Sequence, residues 1–402
     1  MLDAPAPCGP PRWTTLPGGS AGWFVTRYAD VRTVLSDPRF VRDVARVARL
    51  RAEAGHHPVH GSGVWVGRGT TLLHLDPPDH TRIRRAVNPL FAARRADAHR
   101  SMIDELATTL VSRCASSGRA DLVCDLAVPL AVAVLCEVAG LPSDDHHRFG
   151  HWVRQVHRID GGAEAGRRTV EAIDALDRYL EDRIADGPLP GVLAELVRQA
   201  RSSAGPDDGL PGDDGLSEDE VIALGRDLLV GGYESTANLI SGGLALLLAE
   251  PSRYARVHGD PSTIDAAVEE SLRHVAPFPL LEARHAAEAV DLGGVLVAPG
   301  DAVVVDIAAA NRDPDRFAAP DGWHLETPPG HLSFGHGAHH CLGAVLARRE
   351  AHAAFRAVIT GLDDLRLACS PEDLVWEPGL TPTLRSLPVK FTPRLVPSGK
   401  AS

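Results

Sequence analysis

The segment 334–343, FGHGAHHCLG, places one cysteine among closely spaced glycines. Gly335, Gly337 and Gly343 surround Cys341, and the pattern AVLARREAHAAF that follows predicts a helix. Glycines allow the backbone to approach a flat ligand closely. A cysteine at a helix N-terminus lies at the positive end of the helix dipole, beside free backbone N–H groups, and both lower the pKa of its thiol. Because the thiolate is the form that binds metals, the segment predicts a thiolate ligand at Cys341.

A second group of reactive side chains lies in the segment 228–238, LLVGGYESTAN. Gly231 and Gly232 interrupt a predicted helix and are followed by Glu234 and Ser235. Each glycine costs about 1 kcal/mol relative to alanine inside a helix. We therefore expect a kink, with freed backbone groups, a hydroxyl donor and a carboxylate that can exchange protons with solvent.

Two pairs of charged residues have helical spacing. His80 and Arg84 lie four residues apart in HLDPPDHTRIRR, so they share one helix face, and an arginine fork suits a carboxylate. Glu270 and Arg273 lie three residues apart and can form an ion pair. Taken alone, such spacings are common on solvated helix faces, where an ion pair contributes little.

Together these segments resemble the cytochromes P450 of the soluble bacterial type. FGHGAHHCLG matches that family's haem-binding loop, Phe-x-x-Gly-x-x-x-Cys-x-Gly. LLVGGYESTAN is similar to its oxygen-activation groove, and the charged pairs are similar to its His-x-x-x-Arg and Glu-x-x-Arg elements. WFVTRYADVRTVLSDPRF, ANRDP at 310–314 and CLGAVLARREA also fit, so the resemblance covers nearly the whole chain.

The resemblance implies a set of roles around haem b (iron protoporphyrin IX). Cys341 would be the axial ligand of the iron, and Glu234 and Ser235 would deliver protons to dioxygen. Glu270 and Arg273 would form a buried structural pair. The other residues expected to contact or shape the cofactor site are His80, Arg84, Arg284, Phe334, Gly335, His339 and Gly343.

The family positions of the substrate pocket carry mostly apolar residues, which favours an organic substrate of moderate size. The residues expected to line it are Val64, Trp65, Val66, Leu229, Gly231, Gly232, Leu280, Leu281, Leu380 and Thr381.

Two positions depart from the family pattern. Ser235 stands where threonine is usual; it keeps the hydroxyl but lacks the β-branch that fixes the rotamer, so oxygen consumption is expected to be coupled less tightly to product formation. Gly322, in PDGWHL, stands where the family often has an arginine that joins the Glu270–Arg273 pair. We expect Trp323 or His324 to rearrange this region.

The leading functional interpretation is a monooxygenase in which substrate, dioxygen, two electrons and two protons give hydroxylated or epoxidised product and water, as in secondary metabolism and antibiotic biosynthesis. The alternatives are a P450 that performs aryl coupling, dehydration or another non-oxygenating oxidation, one that acts on a carrier-protein-bound substrate, and a non-catalytic haem-binding sensor. The acid and hydroxyl in the groove favour dioxygen activation over a peroxide-driven reaction.

Electrons must come from a separate partner, because no phosphate-binding glycine fingerprint follows a predicted strand. The resemblance implies a ferredoxin and a ferredoxin reductase that supply NAD(P)H-derived electrons. A set of arginines could form a basic face for an acidic ferredoxin or simply a set of solvated helix faces. These are Arg85, Arg94, Arg95, Arg348 and Arg349.

Helical sequence patterns cover most of the chain, so helices must position most of these candidate site residues. They dominate from Asp79 to Gln199, and a capped helix is predicted from Ser217 to Glu250, ended by Pro251. A strand and then a helix from about Ala29 are predicted within 23–40, further helices over 261–275 and 341–361, and short antiparallel strands over 280–305. We expect a mainly α fold with small antiparallel β-sheets, which the resemblance makes a triangular prism of helices around a buried haem. We expect one catalytic domain over 1–402, with a flexible segment over 1–20 and a surface loop over 202–216.

Composition excludes several classes of protein. The net charge is −12 and no basic tract with interleaved aromatic residues is present, which disfavours nucleic acid binding. No signal peptide pattern and no apolar run of membrane-spanning length are visible, so we expect a cytoplasmic protein without a membrane anchor. We also expect a monomer. The remaining cysteines lie far apart and are expected to be free thiols.

Overall fold

Helices make up most of the part of the chain that the structure describes. The computed structural model describes residues 6–16, 19–55, 67–158, 163–187, 189–203, 215–326 and 330–394. The helices are α1 Tyr28–Ser36, α2 Val44–Glu53, α3 Asp79–Val87, α4 Ala93–Ala98, α5 Arg100–Cys114, α6 Val128–Ala139, α7 His146–His157, α8 Ala163–Ala185, α9 Gly191–Ser203, α10 Glu218–Gly232, α11 Glu234–Ala249, α12 Pro251–Gly259, α13 Ile264–Val275, α14 Ile307–Ala310 and α15 Ala344–Gly361. The mainly α prediction is confirmed.

Small sheets lie at the edges of the helical body. The strands are β1 Arg12–Thr15, β2 Ala21–Val25, β3 Phe40–Val41, β4 Arg119–Asp121, β5 Leu280–Ala286, β6 Val290–Leu292, β7 Val295–Val297, β8 Ala302–Asp306, β9 Asp363–Leu367, β10 Trp376–Glu377, β11 Thr383–Leu384 and β12 Pro388–Thr392. The largest sheet has the order β1-β2-β8-β5-β3, and the others are β4-β12-β9, β6-β7 and β10-β11. The predicted antiparallel strands over 280–305 are confirmed, although β8 also pairs in parallel with β2. The all-buried sequence of β8, AVVVD, suits a strand with neighbours on both sides.

Part of the N-terminal segment that we expect to be flexible forms a strand, Arg12–Thr15. These residues pair with β2 as an antiparallel edge strand, with Trp13 opposite Trp23. The two tryptophan rings meet edge to face with centroids 5.3 Å apart, a favourable aromatic geometry. Residues 204–214 of the predicted surface loop lie outside the described residues.

The long predicted helix over 217–250 is divided into α10 and α11. Ser217 caps α10 as predicted, with the Ser217 hydroxyl and the Glu220 carboxylate each accepting from the other residue's backbone N–H. Tyr233 leaves helical geometry at φ −120° and ψ −40°, so the expected kink is a full break. Pro251 does not only end α11; it is also the first residue of α12, where its missing N–H costs nothing.

Helix α11 lies in the centre of the core. Its sequence from Thr236 to Leu248 is almost entirely buried, as expected of a helix with neighbours on all sides. A Cβ atom at Gly243 would lie 2.7 Å from the Phe355 ring of α15 and 2.9 Å from Ser271 of α13. Gly243 therefore lets α11 pack closely against α13 and α15. Within the described residues, no helix has the length and apolar character needed to cross a membrane.

Candidate active site

The cysteine loop is closed by the backbone. Cys341 donates its N–H to the Phe334 carbonyl at 2.9 Å, across the turn formed by Gly337–His339. Gly335 and Gly337 have φ of +71° and +74°, the left-handed region that favours glycine. A Cβ atom at Gly337 would lie only 2.6 Å from the Leu35 carbonyl oxygen of α1, so this turn tolerates no side chain.

Opposing effects act on the thiol of Cys341. Desolvation, the largest of them, raises its pKa, whereas the Gly343 and Ala344 N–H groups at the start of α15 lower it, as predicted for a helix N-terminus. Arg84 and Arg348 lower it as well. A bound metal deprotonates a coordinating thiol outright, so coordination rather than the protein field would make this group a thiolate.

Four basic side chains converge beside the cysteine loop. The His80 and His339 rings lie 4.3 Å apart, and Arg84 and Arg284 lie close enough to lower the pKa of both. Burial and then Arg42 lower the pKa of Arg284 to about 9, and burial followed by Arg42 and Arg284 lowers the pKa of His339 to about 2. Charged groups are expensive to bury without a counter-ion, so this arrangement fits an anionic ligand.

One nitrogen of this basic group, His80 Nε2, is buried. Among the described residues, no group bonds to His80 Nε2. Arg84 donates one N–H to the His340 carbonyl, which ties α3 to the cysteine loop. The α3 pair and His339 were predicted from separate motifs, and the structure brings them together with Arg284 of β5.

The predicted oxygen groove has one open face. Among the described residues, and apart from the neighbouring backbone of its own helix, no heavy atom lies within 4 Å of the place where a Cβ atom of Gly231 would stand. One turn later, Ser235 donates its hydroxyl to the Gly231 carbonyl at 3.0 Å, so the two residues share this face. Ser235 therefore has a defined hydroxyl position in spite of lacking a β-branch.

Two predicted pocket residues do not lie on that face. A Cβ atom at Gly232 would meet the Leu135 side chain of α6 at 2.7 Å, and Leu229 is fully buried in the main core. Neighbouring positions on a helix point about 100° apart, so Gly232 cannot share the direction of Gly231. Both predictions are corrected: these residues pack α10 against the core.

The other predicted pocket residues are distributed over two segments. Leu280 and Leu281 are half-buried on β5. Leu380 is half-buried, and Thr381 is buried with its hydroxyl 3.5 Å from the Glu234 carboxylate. Val64, Trp65 and Val66 lie outside the described residues.

Glu234 has a partner that sequence reasoning missed. His157, the last residue of α7, contacts one carboxylate oxygen of Glu234 through Nδ1. The Tyr233 hydroxyl lies 3.4 Å from the other oxygen and also 3.4 Å from the Gly150 carbonyl of α7. No sequence pattern joins residues 77 positions apart, although a histidine at the end of an apolar helix face was a visible signal.

Glu270 and Arg273 form the predicted buried pair, each 2% exposed, with Arg273 Nη2 2.7 Å from Glu270 Oε1. In place of a third arginine, the carbonyls of Asn311, Pro320 and Gly322 accept from Arg273 at 2.7–3.0 Å. His324 N–H donates to Glu270 at 2.8 Å. The 320–324 segment thus satisfies the pair through its backbone, which a glycine at 322 permits.

Comparisons with known proteins decide the family. Residues 195–363 match the family model described as Cytochrome P450. Over 92% of its length, the chain is 36% identical to cytochrome P450 107B1 of Saccharopolyspora erythraea, of which it covers 90%. The chain belongs to the cytochrome P450 family. It is also 38% identical to the mycinamicin IV hydroxylase/epoxidase of Micromonospora griseorubida, with 90% of this P450 and 88% of that enzyme covered.

The fold agrees with this assignment. The solved structure of cytochrome P450 TxtC, described as performing sequential aliphatic and aromatic thaxtomin hydroxylation, superposes with a TM-score of 0.84 at 30% identity. The alignment covers 95% of this P450 and 96% of TxtC. This P450 is therefore a monooxygenase that uses haem b, dioxygen and electrons from NAD(P)H delivered by redox partners, and that acts on small organic substrates.

The residues of this P450 fit a haem. A cysteine stands in a glycine turn that no side chain could fill, and a group of basic residues lies beside it, in which His80 Nε2 has no partner among the described residues. Haem carries two propionate carboxylates, which are anions that suit such a group. Residues that could supply an iron ligand and propionate contacts thus lie in one place.

Proposed function

We propose that Cys341 ligates the haem iron and that the enzyme inserts one oxygen atom into an apolar or moderately polar small molecule, by hydroxylation or epoxidation. The observation that carries this proposal is the backbone-closed cysteine turn beside the buried cations. When bound, the haem supplies the dioxygen-binding and electron-accepting chemistry, which a thiolate ligand favours by donating electron density to the iron.

The basic residues anchor the cofactor. His80, Arg84, Arg284 and His339 would bind the propionates, and the arginine forks suit carboxylates geometrically. Binding an anion there offsets the cost of burying Arg284, whose pKa burial lowers to about 9. Phe334 supports the loop from the side, since the Arg348 guanidinium lies over its ring at 4.5 Å.

The groove residues handle protons. Ser235 holds a hydroxyl on the open face beside Gly231, and Glu234, the neighbouring residue, carries a carboxylate that is nearly buried. A hydroxyl and a carboxylate that follow each other can orient and pass a proton within one chain of hydrogen bonds. We assign Ser235 the contact with the oxygen substrate and Glu234 the resupply of its proton.

An organic substrate of secondary metabolism is consistent with the half-buried leucines of β5 and with Leu380. The similarity to a mycinamicin IV hydroxylase/epoxidase and to a thaxtomin hydroxylase supports hydroxylation or epoxidation over aryl coupling. It equally supports an enzyme over the alternative of a sensor.

We assign the electron donor to a ferredoxin, served by a ferredoxin reductase, and propose that the enzyme works as a monomer. Of the predicted basic face, Arg348 pairs with Glu269 at 2.5 Å and Arg349 with Asp97 at 2.8 Å. Their charges are largely balanced by these acids. An acidic ferredoxin would be attracted to the whole predicted basic face, which also includes Arg85, Arg94 and Arg95 around α3 and α4.

Carbon monoxide binding to the reduced protein tests the ligand. The native protein should show the red-shifted Soret band of thiolate ligation, and Cys341→His should lose it while still binding haem. Cys369→Ser, which replaces a half-buried free thiol outside the cysteine loop, is the control and should keep the band. A spectrum typical of histidine ligation in the native protein would refute the assignment.

Replacement of the groove hydroxyl tests proton delivery. Ser235→Ala should lower product formed per NADPH consumed by about tenfold or more, because general acid catalysis contributes about 10²–10⁴-fold. Ser241→Ala removes a buried hydroxyl two turns later in α11 that donates only to the Ala237 carbonyl, and should leave the ratio unchanged. Normal coupling in Ser235→Ala would remove Ser235 from the mechanism.

A further inference from the structure

The carboxylate of Glu234 is held from outside its own helix. His157 Nδ1 contacts Glu234 Oε2, and the His157 side chain is only 5% exposed. A histidine and a carboxylate are costly to bury separately, so each requires the other as a partner. Glu234 therefore has a fixed direction before any substrate or oxygen arrives.

His157 is itself fixed by two other segments. Its backbone carbonyl accepts from Leu380 N–H at 3.1 Å, and its ring meets Phe278 edge to face with centroids 6.0 Å apart. The neighbouring Thr381 places its hydroxyl 3.5 Å from the same oxygen of Glu234 that His157 contacts. The end of α7 and the 379–381 segment thus meet at one carboxylate oxygen.

The second oxygen of Glu234 is less constrained. Tyr233 approaches it at 3.4 Å, at the limit of a hydrogen bond, and Arg154 of α7 interacts with that tyrosine. Burial and then Glu234 raise the pKa of Tyr233, so its hydroxyl stays protonated and can donate. The two oxygens of the carboxylate therefore differ: one is bound to His157, and within the described residues the other has only a weak contact.

A purely structural role does not explain why a histidine stands at position 157. His157 Nε2 is buried, and no described residue bonds to it. An apolar side chain at this place would avoid that cost, whereas Nδ1 supplies a donor aimed at Glu234. The geometry is that of a side chain kept for its directional contact with a functional carboxylate.

We propose that His157 is a positioning residue for proton delivery. It holds one oxygen of Glu234 so that the other stays available to resupply Ser235, and it links this orientation to the α7 end and the 379–381 segment. This inference rests on the proposed function of Glu234 and Ser235. Without His157 the Glu234 carboxylate turns away from Ser235. Dioxygen, two electrons and two protons would then form hydrogen peroxide, instead of forming water and oxidised product with the substrate.

Two variants at one position separate the contact from the bulk of the ring. His157→Leu removes the donor, whereas His157→Asn keeps a neutral N–H close to the position of Nδ1. His151→Asn, at an exposed position of α7, is the matched control. Each haem-loaded variant would be driven by a plant-type ferredoxin, its reductase and NADPH, with 7-ethoxycoumarin as the probe substrate.

The first readout is the hydrogen peroxide released per NADPH consumed. We expect a several-fold increase in His157→Leu, substantial rescue in His157→Asn, and no change in His151→Asn. The dissociation constant of the probe, measured from the optical shift of the haem, should change by less than about threefold. Misplacement of a catalytic group affects the reaction far more than it affects binding.

The second readout does not depend on turnover. In the diamagnetic, carbon-monoxide-bound reduced protein, the ring proton shared between His157 and Glu234 should give a far-downfield proton resonance. The resonance should disappear in both His157→Leu and Glu234→Gln and persist in His151→Asn. Its absence from the native protein would overturn the proposed contact.

Unchanged peroxide release in His157→Leu would overturn the positioning role. If Ser235→Ala and Glu234→Gln also release no extra peroxide, the proposed function of the groove fails as well. If those two variants release peroxide and His157→Leu does not, only the inference about His157 fails. Equal defects in His157→Leu and His157→Asn, with weaker binding of the probe in both, would indicate a structural role instead.

Discussion

Replacement of Arg273 by lysine tests whether backbone carbonyls stabilise the Glu270–Arg273 pair in place of the third arginine that the family often has. The guanidinium N–H groups face five oxygens, both of Glu270 and the carbonyls of Asn311, Pro320 and Gly322, at 2.7–3.0 Å. His274 Nε2 also lies 2.7 Å from Arg273 Nη2. An ammonium has three donors on one atom and cannot reach both sides of this group.

At least two of these hydrogen bonds would be lost in Arg273→Lys. Each involves a charged donor and a buried acceptor, worth about 1.5–3 kcal/mol, so the free energy of unfolding should fall by about 4 kcal/mol. A loss of that size is large compared with a total stability of about 5–15 kcal/mol. The variant should therefore be partly unfolded at moderate urea concentration.

Urea unfolding followed by far-ultraviolet circular dichroism measures this difference. Arg385→Lys is the matched control, because Arg385 pairs with Glu377 at 2.9 Å but both side chains are more than half exposed. An exposed pair contributes about 0–1 kcal/mol, so this variant should unfold close to the native protein. If Arg273→Lys loses less than about 1 kcal/mol, the carbonyl oxygens of the 320–322 segment do not replace the third arginine, and the reasoning is refuted.

Two further substitutions test local geometry and burial. Gly337→Ala should lower the free energy of unfolding by at least about 2 kcal/mol in urea titrations, because its φ of +74° disfavours a side chain and a main-chain oxygen lies 2.6 Å from the new Cβ. Gly166→Ala, in open space on α8, is the control and should not destabilise the protein. Equal effects of the two substitutions would contradict the close approach at Gly337. Burial raises the pKa of Asp227 to about 6, so its contribution to stability is complete below about pH 4, the unfolded pKa, and is lost as pH rises through about 6. Asp227→Asn can still accept the Leu72 N–H. Between pH 4 and pH 8, its free energy of unfolding in urea titrations should therefore rise by up to about 3 kcal/mol relative to that of the native protein. If the free energies of unfolding of the two proteins change with pH in parallel, the raised pKa of Asp227 is excluded. Asp174→Asn, at an exposed position of α8, is the control.

Local features of the site were predictable from the sequence. The cysteine turn, the Ser217 cap and the break near Gly231 depend on residues within ten positions of one another, so their types and spacing carry the information. The pairing of Glu270 with Arg273 is local as well. Its buried environment is not, and the resemblance to a family supplied that part.

Features that depend on distant packing were not predictable. Desolvation raises the pKa of the Cys341 thiol, and desolvation depends on the packing of the whole fold. His157 reaches Glu234 only because α7 ends beside the break between α10 and α11. Leu229 and Gly232 were assigned to the pocket from family position, whereas the direction of each residue around the helix decides what it faces.

The closure of the Cys341 loop has a consequence for substitutions made away from the cysteine itself. The N–H bond to Phe334, the glycine turn against α1 and the Arg84 contact to His340 each restrict the same ten residues. A change that breaks one of these contacts gives the segment more conformational freedom, and ordering it again costs free energy when a ligand binds. Positions on α1 and α3 can therefore weaken ligand binding at Cys341 without touching the thiol.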